Sequence, residues 1–187
     1  MTDPLLKYRE QHKHRLNYMP WLYWSLKPKH REWAEQWQAE YQAYLMEMET
    51  VEIGENCFIS PLAHIFAERG RKISIGDNTF IAADCTLHGP LQIGSEVAIN
   101  HHCILDGGRA GIKLHDQVRI AAYSHLYAFD HGMDLERPIY QQAVTSKGIE
   151  IGQDVWLGAH VGIKDGVKIG DHAVIGMNSM VTKDIEK

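Results

Sequence analysis

Residues 151–170 read "IGQDVWLGAHVGIKDGVKIG", and an aliphatic residue returns at every sixth position: Ile151, Leu157, Ile163 and Ile169. A β-strand alternates with a period of two, which accommodates six but leaves positions 153, 155, 159 and 161 without a consistent pattern. An α-helix turns about 100° per residue, so six steps rotate a side chain by about 240° and build no face. A coil with three flat sides, six residues to a side, points every sixth residue at its own axis.

The rhythm extends over most of the chain: Ile53, Ile59, Ile65; Ile75, Ile81, Leu87, Ile93, Ile99, Leu105; Leu114, Ile120, Leu126; then Ile151 on through Ile175 and Val181. Four residues after these come small or modest side chains, including Ala63, Thr79, Val97, Val118, Ser124, Val155, Val161 and Ser179. All three cysteines, Cys57, Cys85 and Cys103, occupy that slot, which predicts buried packing residues instead of nucleophiles. Glycine often follows the aliphatic, as at Gly54, Gly76, Gly94 and Gly152, where corners are expected to need unusual backbone angles. The expected fold is mainly β: a parallel β-helix, each coil stacking on the last at roughly 4.8 Å.

Grouped in threes, the spacing breaks only after a third side: from Ile65 to Ile75, from Leu105 to Leu114, and from Leu126 to Ile151. All three insertions therefore leave the solenoid at one corner. The longest, 127–148, is polar and cannot join the core, so an external loop is expected there, and loops gathered on one edge suggest a built site. Residues 1–50 lack the rhythm. Pro28 can open a helix, after which Trp33, Trp37, Tyr41, Tyr44 and Met48 recur at helical spacing. We read 1–50 as a helical cap over the first coil and 51–187 as the β-helix domain.

The formal charge of −5 argues against a general nucleic-acid binder. No apolar run reaches the roughly 18–20 residues of a membrane span, and the start does not look like a signal peptide. A soluble, cytoplasmic protein is expected. The chain has twelve histidines. Those in the helical segment and at solenoid corners are unremarkable, leaving His88, His101, His102, His125 and His131 near the loop edge or the central coils. His131 stands out because it lies within the long loop in "FDHGMD", beside Asp130, where one ring nitrogen can face a ligand while a carbonyl or carboxylate orients the other.

The repeated [LIV]-G-x-x-x-x units and the closing "IGQDVWLGAHVGIKDGVKIGDHAVIGMNSMVTKDI" resemble the left-handed β-helix acyltransferases of the hexapeptide-repeat superfamily, nearest to the galactoside and maltose O-acetyltransferase branch. The resemblance covers roughly 75–187. It implies a left-handed coil, where the usual crossover rule would give the opposite hand, and acyl transfer from acetyl-CoA as co-substrate. "DQVRIAAYSHLYAFDHG" is similar to the stretch that ends in the family's catalytic histidine, here His131. "VAIN" is similar to a turn whose Asn helps bind the acceptor, here Asn100, and "ILDGG" to an acidic loop on the acceptor, here Asp106. "DVWLGAH" places Trp156 near the acyl end of the coenzyme. "SMVTKDI" places Thr182 and Lys183 near its adenosine end.

Two departures matter. Ala159 stands where the galactoside branch has a serine, which removes any hydroxyl contact to the coenzyme but leaves the backbone N–H groups from Trp156 to Ala159 as oxyanion donors. The first 50 residues also lack that branch's usual leading segment, which puts a simple maltose or galactoside acceptor in doubt. Family members usually continue past "TKDIEK" with a proline-rich turn and closing strands that this sequence does not contain.

The register adds to this. Leu105 and Leu126 are equivalent one coil apart, so Asp106 and the loop carrying His131 should emerge at one corner, and the carboxylate and the histidine should share one cleft. His131 follows a third side, Asn100 follows Ile99 on a second, and Trp156 is expected to end a first side, so the three cannot meet at one corner of a single coil. The resemblance implies a homotrimer, with sites between subunits and the 127–148 loop reaching its neighbour. The expected reaction is acetyl transfer to a hydroxyl of a small-molecule acceptor, most simply a sugar, with His131 as general base and no metal. Two other readings compete. One is a metal enzyme like the γ-carbonic anhydrases, suggested by "CTLHGP" (85–90) with His101 and His102, although the H-x₄-H spacing of that family is absent. The other is a non-catalytic β-helix binding module.

Overall fold

The computed structural model describes residues 4–186. Its body is a parallel solenoid of three six-stranded sheets in which each strand hands the chain to the next sheet. The first sheet runs Val51–Ile53, Ile73–Ile75, Leu91–Ile93, Ile112–Leu114, Ile149–Ile151 and Lys168–Ile169. The second runs Phe58–Ile59, Phe80–Ile81, Ala98–Ile99, Arg119–Ile120, Trp156–Leu157 and Val174–Ile175. The third runs His64–Phe66, Thr86–His88, Ile104–Asp106, His125–Tyr127, Gly162–Ile163 and Met180–Val181. The six-residue aliphatics stack in register: Ile59 on Ile81, Ile99, Ile120, Leu157 and Ile175. Those side chains form the axis of the core, and the first five are fully buried. Each buried aliphatic removes enough apolar surface to contribute roughly 1.5–3 kcal/mol, which is why the period is kept so strictly.

The small slot behaves as its spacing predicts. Cys57, Cys85 and Cys103 are free thiols buried in that column. The Cys85 thiol is pushed up by its contact with Cys103 and by burial, and burial raises Cys57 as well, so neither is a ready nucleophile. The three insertions (67–72, 107–111 and 128–148) all lie between the third and first sheets.

The corner glycines have a different cause from the one expected. Gly54, Gly76, Gly94 and Gly152 do not adopt positive φ. The left-handed corner residues are mostly Asn, Asp and His, such as Asn56, Asn78, Asp84, His102 and Asp154. Glycine is needed because the next coil presses on it: a Cβ on Gly76 would sit 2.6 Å from both the Gly94 carbonyl carbon and the Ser95 nitrogen.

The leading residues form α1 (Pro4–Tyr18), a 3₁₀ turn (Pro20–Leu22) and α2 (Pro28–Met48), which opens at the expected proline. The expected aromatic stripe is displaced by one position. Tyr44 and Met48 are exposed, whereas Ala34, Gln38 and Leu45 are buried. The reason is a polar contact. The Gln38 amide donates to Ile59 O (3.1 Å) and accepts from Ile59 N (2.8 Å), so α2 closes the open edge of the second sheet much as a further strand would. Gln42 donates to Cys57 O at 2.9 Å, and Glu49 accepts from Ala67 N at 2.7 Å. The wrap also reaches beyond the first coil. Leu16, Tyr23 and Ala34 form a second core with Phe58, Phe80 and Ala98 on the outer face of the second sheet, with Trp24, Trp33 and Trp37 packed on it. Among the described residues no helix is long and apolar enough to cross a membrane.

Candidate functional site

The 128–148 insertion is a hairpin. Asp130–His131 pairs antiparallel with Val144–Thr145, putting His131 opposite Val144. Its tip is folded around buried Gln142, whose amide accepts from Asp134 N and donates to the carbonyls of Asp134 and Arg137, each at 2.8 Å. At the base, Ser146 Oγ accepts from the nitrogens of Arg109 (3.0 Å) and Ala110 (2.9 Å) and donates to Ala128 O. This ties the hairpin to the 107–111 insertion one coil earlier. Lys164 pairs with Asp130 at 3.3 Å from the coil that follows.

Between these loops lies a pocket of about 330 Å³ lined by Arg71, His88, Asp106, Arg109, Phe129 and Val144, among others. Asp106 is held in it from several sides. One carboxylate oxygen accepts from Gly108 N (3.0 Å), with Arg71 Nη2 at 3.9 Å, and the other lies 3.4 Å from His88 Nδ1. His88 Nε2 reaches Glu68 at 3.1 Å, and that hydrogen bond holds the Glu68 carboxyl below its ordinary value. Arg71 also donates to Gly89 O (2.9 Å) and Gly108 O (2.7 Å). The expected sharing of one corner by Asp106 and the His131 hairpin is therefore found, with Phe129 and Val144 as the hairpin's share of the wall. His131 itself is exposed and stands outside the lining. The only partner of its ring among the described residues is Phe129, centroids 6.3 Å apart, so the expected orienting carbonyl or carboxylate is not found among them.

The other site candidates divide between two corners. Thr182 and Lys183 are exposed and follow Met180–Val181 at the same third-to-first corner as the hairpin. Asn100 and Ala159 lie in turns between the second and third sheets. Asn100 is half-buried, and both its Nδ2 (2.9 Å) and its backbone N (3.0 Å) donate to Ile120 O, which leaves Oδ1 available. The Ala159 N–H has no acceptor among the described residues, whereas those of Gly158 and His160 are taken by Ile175 O and Ala122 O. Trp156 does not end a first side. It lies in the second sheet between Arg119 and Val174, 54% exposed, because the chain has already turned at left-handed Asp154. Asn100, Trp156 and Ala159 thus share the second side and the corner after it, while Asp106 and His131 lie across the third side.

The sequence reading missed Arg71 and His88 as partners of Asp106, Glu68 as the partner of His88, and Ser146 as the tie between the two loops. The signal for His88 was present: it precedes Asp106 by one coil and pairs with it in register. His101 and His102 sit at the other corner, with His102 stacked on Tyr123 at 4.7 Å and Tyr123 on His160 at 5.0 Å. The histidines of the metal reading are therefore split between two corners, and among the described residues no group of His, Cys, Asp and Glu could hold a metal ion.

Comparison with known proteins agrees with this fold. Residues 148–183 match the family "Bacterial transferase hexapeptide (six repeats)". The chain is 32% identical over 135 residues to galactoside O-acetyltransferase of Escherichia coli (strain K12), covering 71% of this chain and 55% of that enzyme. It is 33% identical over 148 residues to galactoside O-acetyltransferase of Lactococcus lactis, covering 79% and 61%. It thus spans little more than half the length of these relatives. Among solved structures, a variant of AntD, an N-acyltransferase from Bacillus cereus in complex with dTDP and coenzyme A, superposes with a TM-score of 0.68 at 30% identity, covering 77% of this chain and 80% of that one. The sixfold period, the stacked coils and these likenesses lead to one conclusion: the chain belongs to the hexapeptide-repeat acyltransferase superfamily.

Proposed function

We propose that this protein transfers an acetyl group from acetyl-CoA to a hydroxyl of a sugar, with His131 as general base. The observation that carries the reading is the corner pocket: a fixed carboxylate, Asp106, beneath a hairpin that presents an exposed imidazole with no hydrogen-bond partner among the described residues, on a solenoid like one solved with coenzyme A. His131 takes the proton of the acceptor hydroxyl as its oxygen attacks the thioester carbon. The Ala159 N–H, without an acceptor among the described residues, stabilises the tetrahedral oxyanion. Collapse breaks the C–S bond, and the leaving thiolate takes the proton back from His131. Asp106 and Asn100 hold the acceptor, Trp156 flanks the acyl arm, and Thr182 and Lys183 contact the adenosine end. A second reading, an amine acceptor, is favoured by the likeness to an N-acyltransferase.

The active form is a homotrimer with sites between subunits. Two observations support this. The site residues lie on either side of the third sheet, and the hairpin ends in an uncovered apolar tip, with Met133 73%, Leu135 101%, Ile139 58% and Tyr140 82% exposed. A neighbour's second-to-third corner gives that tip and His131 a place to dock.

The test is free-thiol release from acetyl-CoA over paired hydroxyl and amino sugars. His131→Ala should lower turnover by about 10²–10⁴-fold; wild-type rates in that variant would remove the base. Mixing His131→Ala with Asn100→Ala subunits should restore part of the activity. A fully active monomer would refute the shared site.

A further inference from the structure

The outward column of the second sheet runs Phe58, Phe80, Ala98, Arg119, Trp156 and Val174. The helical wrap covers its first half and stops at Ala98. There the 3₁₀ turn meets the sheet and leaves a pocket of about 340 Å³ lined by Trp21, Trp24, Phe80, Glu96, Ala98 and Arg119, among others. We propose that this pocket binds a planar aromatic ring carrying an anionic group, the handle of the sugar acceptor.

Two walls are fixed. The Trp24 indole donates to Asn56 O at 3.2 Å and leans on Phe80, centroids 6.1 Å apart. Trp21 is 50% exposed and has no ring or hydrogen-bond partner among the described residues, so one indole is still available to stack. Flat rings stack on such faces with little regard to their identity. The charge comes from Arg119, exposed, whose guanidinium has no ion-pair or hydrogen-bond partner among the described residues. The acidic group in the pocket, Glu96, accepts instead from Gln117 Nε2 at 3.0 Å. An unpaired guanidinium beside two indoles fits a phosphate or carboxylate joined to an aromatic ring.

Position links the pocket to the acceptor. Asn100 directly follows the strand Ala98–Ile99 and its N–H still donates to Ile120 O of the next coil, so it lies two residues, roughly 6.6 Å, from Ala98. A sugar hydroxyl beside Asn100 would place the group attached to the sugar over Ala98. The role as an acceptor handle rests on the acyl-transfer reading; the binding itself does not.

The experiment is titration calorimetry, with tryptophan emission in parallel, in the absence of acetyl-CoA. Uridine 5′-monophosphate and benzoate are the probes, and uridine is the neutral control. Saturable binding tighter than about 1 mM by the nucleotide alone assigns a nucleotide handle, and by benzoate alone an aromatic acid. Arg119→Gln and Trp21→Ala, both surface changes, should each weaken binding about tenfold or more without changing the melting temperature. Uridine should bind about tenfold more weakly than its monophosphate. If neither probe saturates in that range, if Arg119→Gln binds as tightly as wild type, or if uridine matches its monophosphate, the pocket has been misassigned. Because no acyl transfer is measured, failure here leaves the catalytic reading standing, and an inactive enzyme that binds the probe leaves the pocket standing.

Discussion

Replacing Gln38 by leucine tests how the solenoid closes its first edge. Gln38 is 1% exposed, and its amide satisfies both the N–H and the C=O of Ile59 on the edge strand. Leucine has nearly the same volume, so packing is retained while two buried backbone groups lose their partners. Each such loss costs about 1–3 kcal/mol, and the more apolar side chain returns about 1 kcal/mol. The expected net destabilisation is about 1–5 kcal/mol, and a central value of about 3 kcal/mol in a chain of this length lowers the melting point by roughly 6–12 °C. Urea unfolding measures the first figure. Hydrogen exchange at the Ile59 amide should accelerate while the Ile120 amide, deep in the stack, keeps its protection relative to global stability. A loss under about 0.5 kcal/mol, or unchanged exchange at Ile59, would show that water or another group closes this edge and that the cap is only hydrophobic.

Gly76→Ala should destabilise by about 3 kcal/mol, because its Cβ meets backbone of the next coil, whereas Gly70→Ala should cost under about 1.5 kcal/mol, with φ of +86° but nothing within 4 Å; equal losses would overturn the packing account of the corner glycines. His131→Ala should change unfolding stability by less than about 0.5 kcal/mol, and His125→Ala should reduce turnover far less than His131→Ala does. Glu150 is held below its ordinary value of 4.5, first by a hydrogen bond from His115 and then by Lys168 and Lys113. Its contribution is therefore present above about pH 4.5 and lost as pH falls through its lower folded value. Melting curves of wild type and Glu150→Gln should differ at pH 7 and converge as the medium is acidified below pH 4; divergence in acid would reverse the sign.

The period of six was readable because it is imposed by sterics at every coil: Ile59, Ile81, Ile99 and Ile120 have no other place to go. The insertion corner was readable for the same reason, since an extra residue inside a side would break two ladders and one at the corner breaks none. What the sequence did not disclose depends on contacts between side chains whose direction no period specifies. Gln38 replaced an aromatic in the buried line because an edge strand needed a donor and an acceptor. Trp156 was assigned to the wrong side because the left-handed turn at Asp154 falls one corner earlier than its aliphatic neighbours suggested. The hairpin inside 127–148 has only two paired positions on each arm, too few to alternate visibly. Asp106 was found through the resemblance and the register, but its hold on Arg71 and His88 required three coils to be stacked first.

The shared exit corner has a further consequence, for how freely this solenoid can be re-equipped. In an uninterrupted stretch, residues paired between coils are 18 apart, as Glu150 and Lys168 are, and across the hairpin Ile112 and Ile149 are 37 apart. That doubling of the closing loop costs only about 0.6 kcal/mol in chain entropy. The shaft of the molecule therefore hardly registers the size of the tool mounted on it. A lineage could lengthen, shorten or exchange the hairpin while every rung above and below keeps its register, so the wall of the corner pocket can change far faster than the stack that carries it.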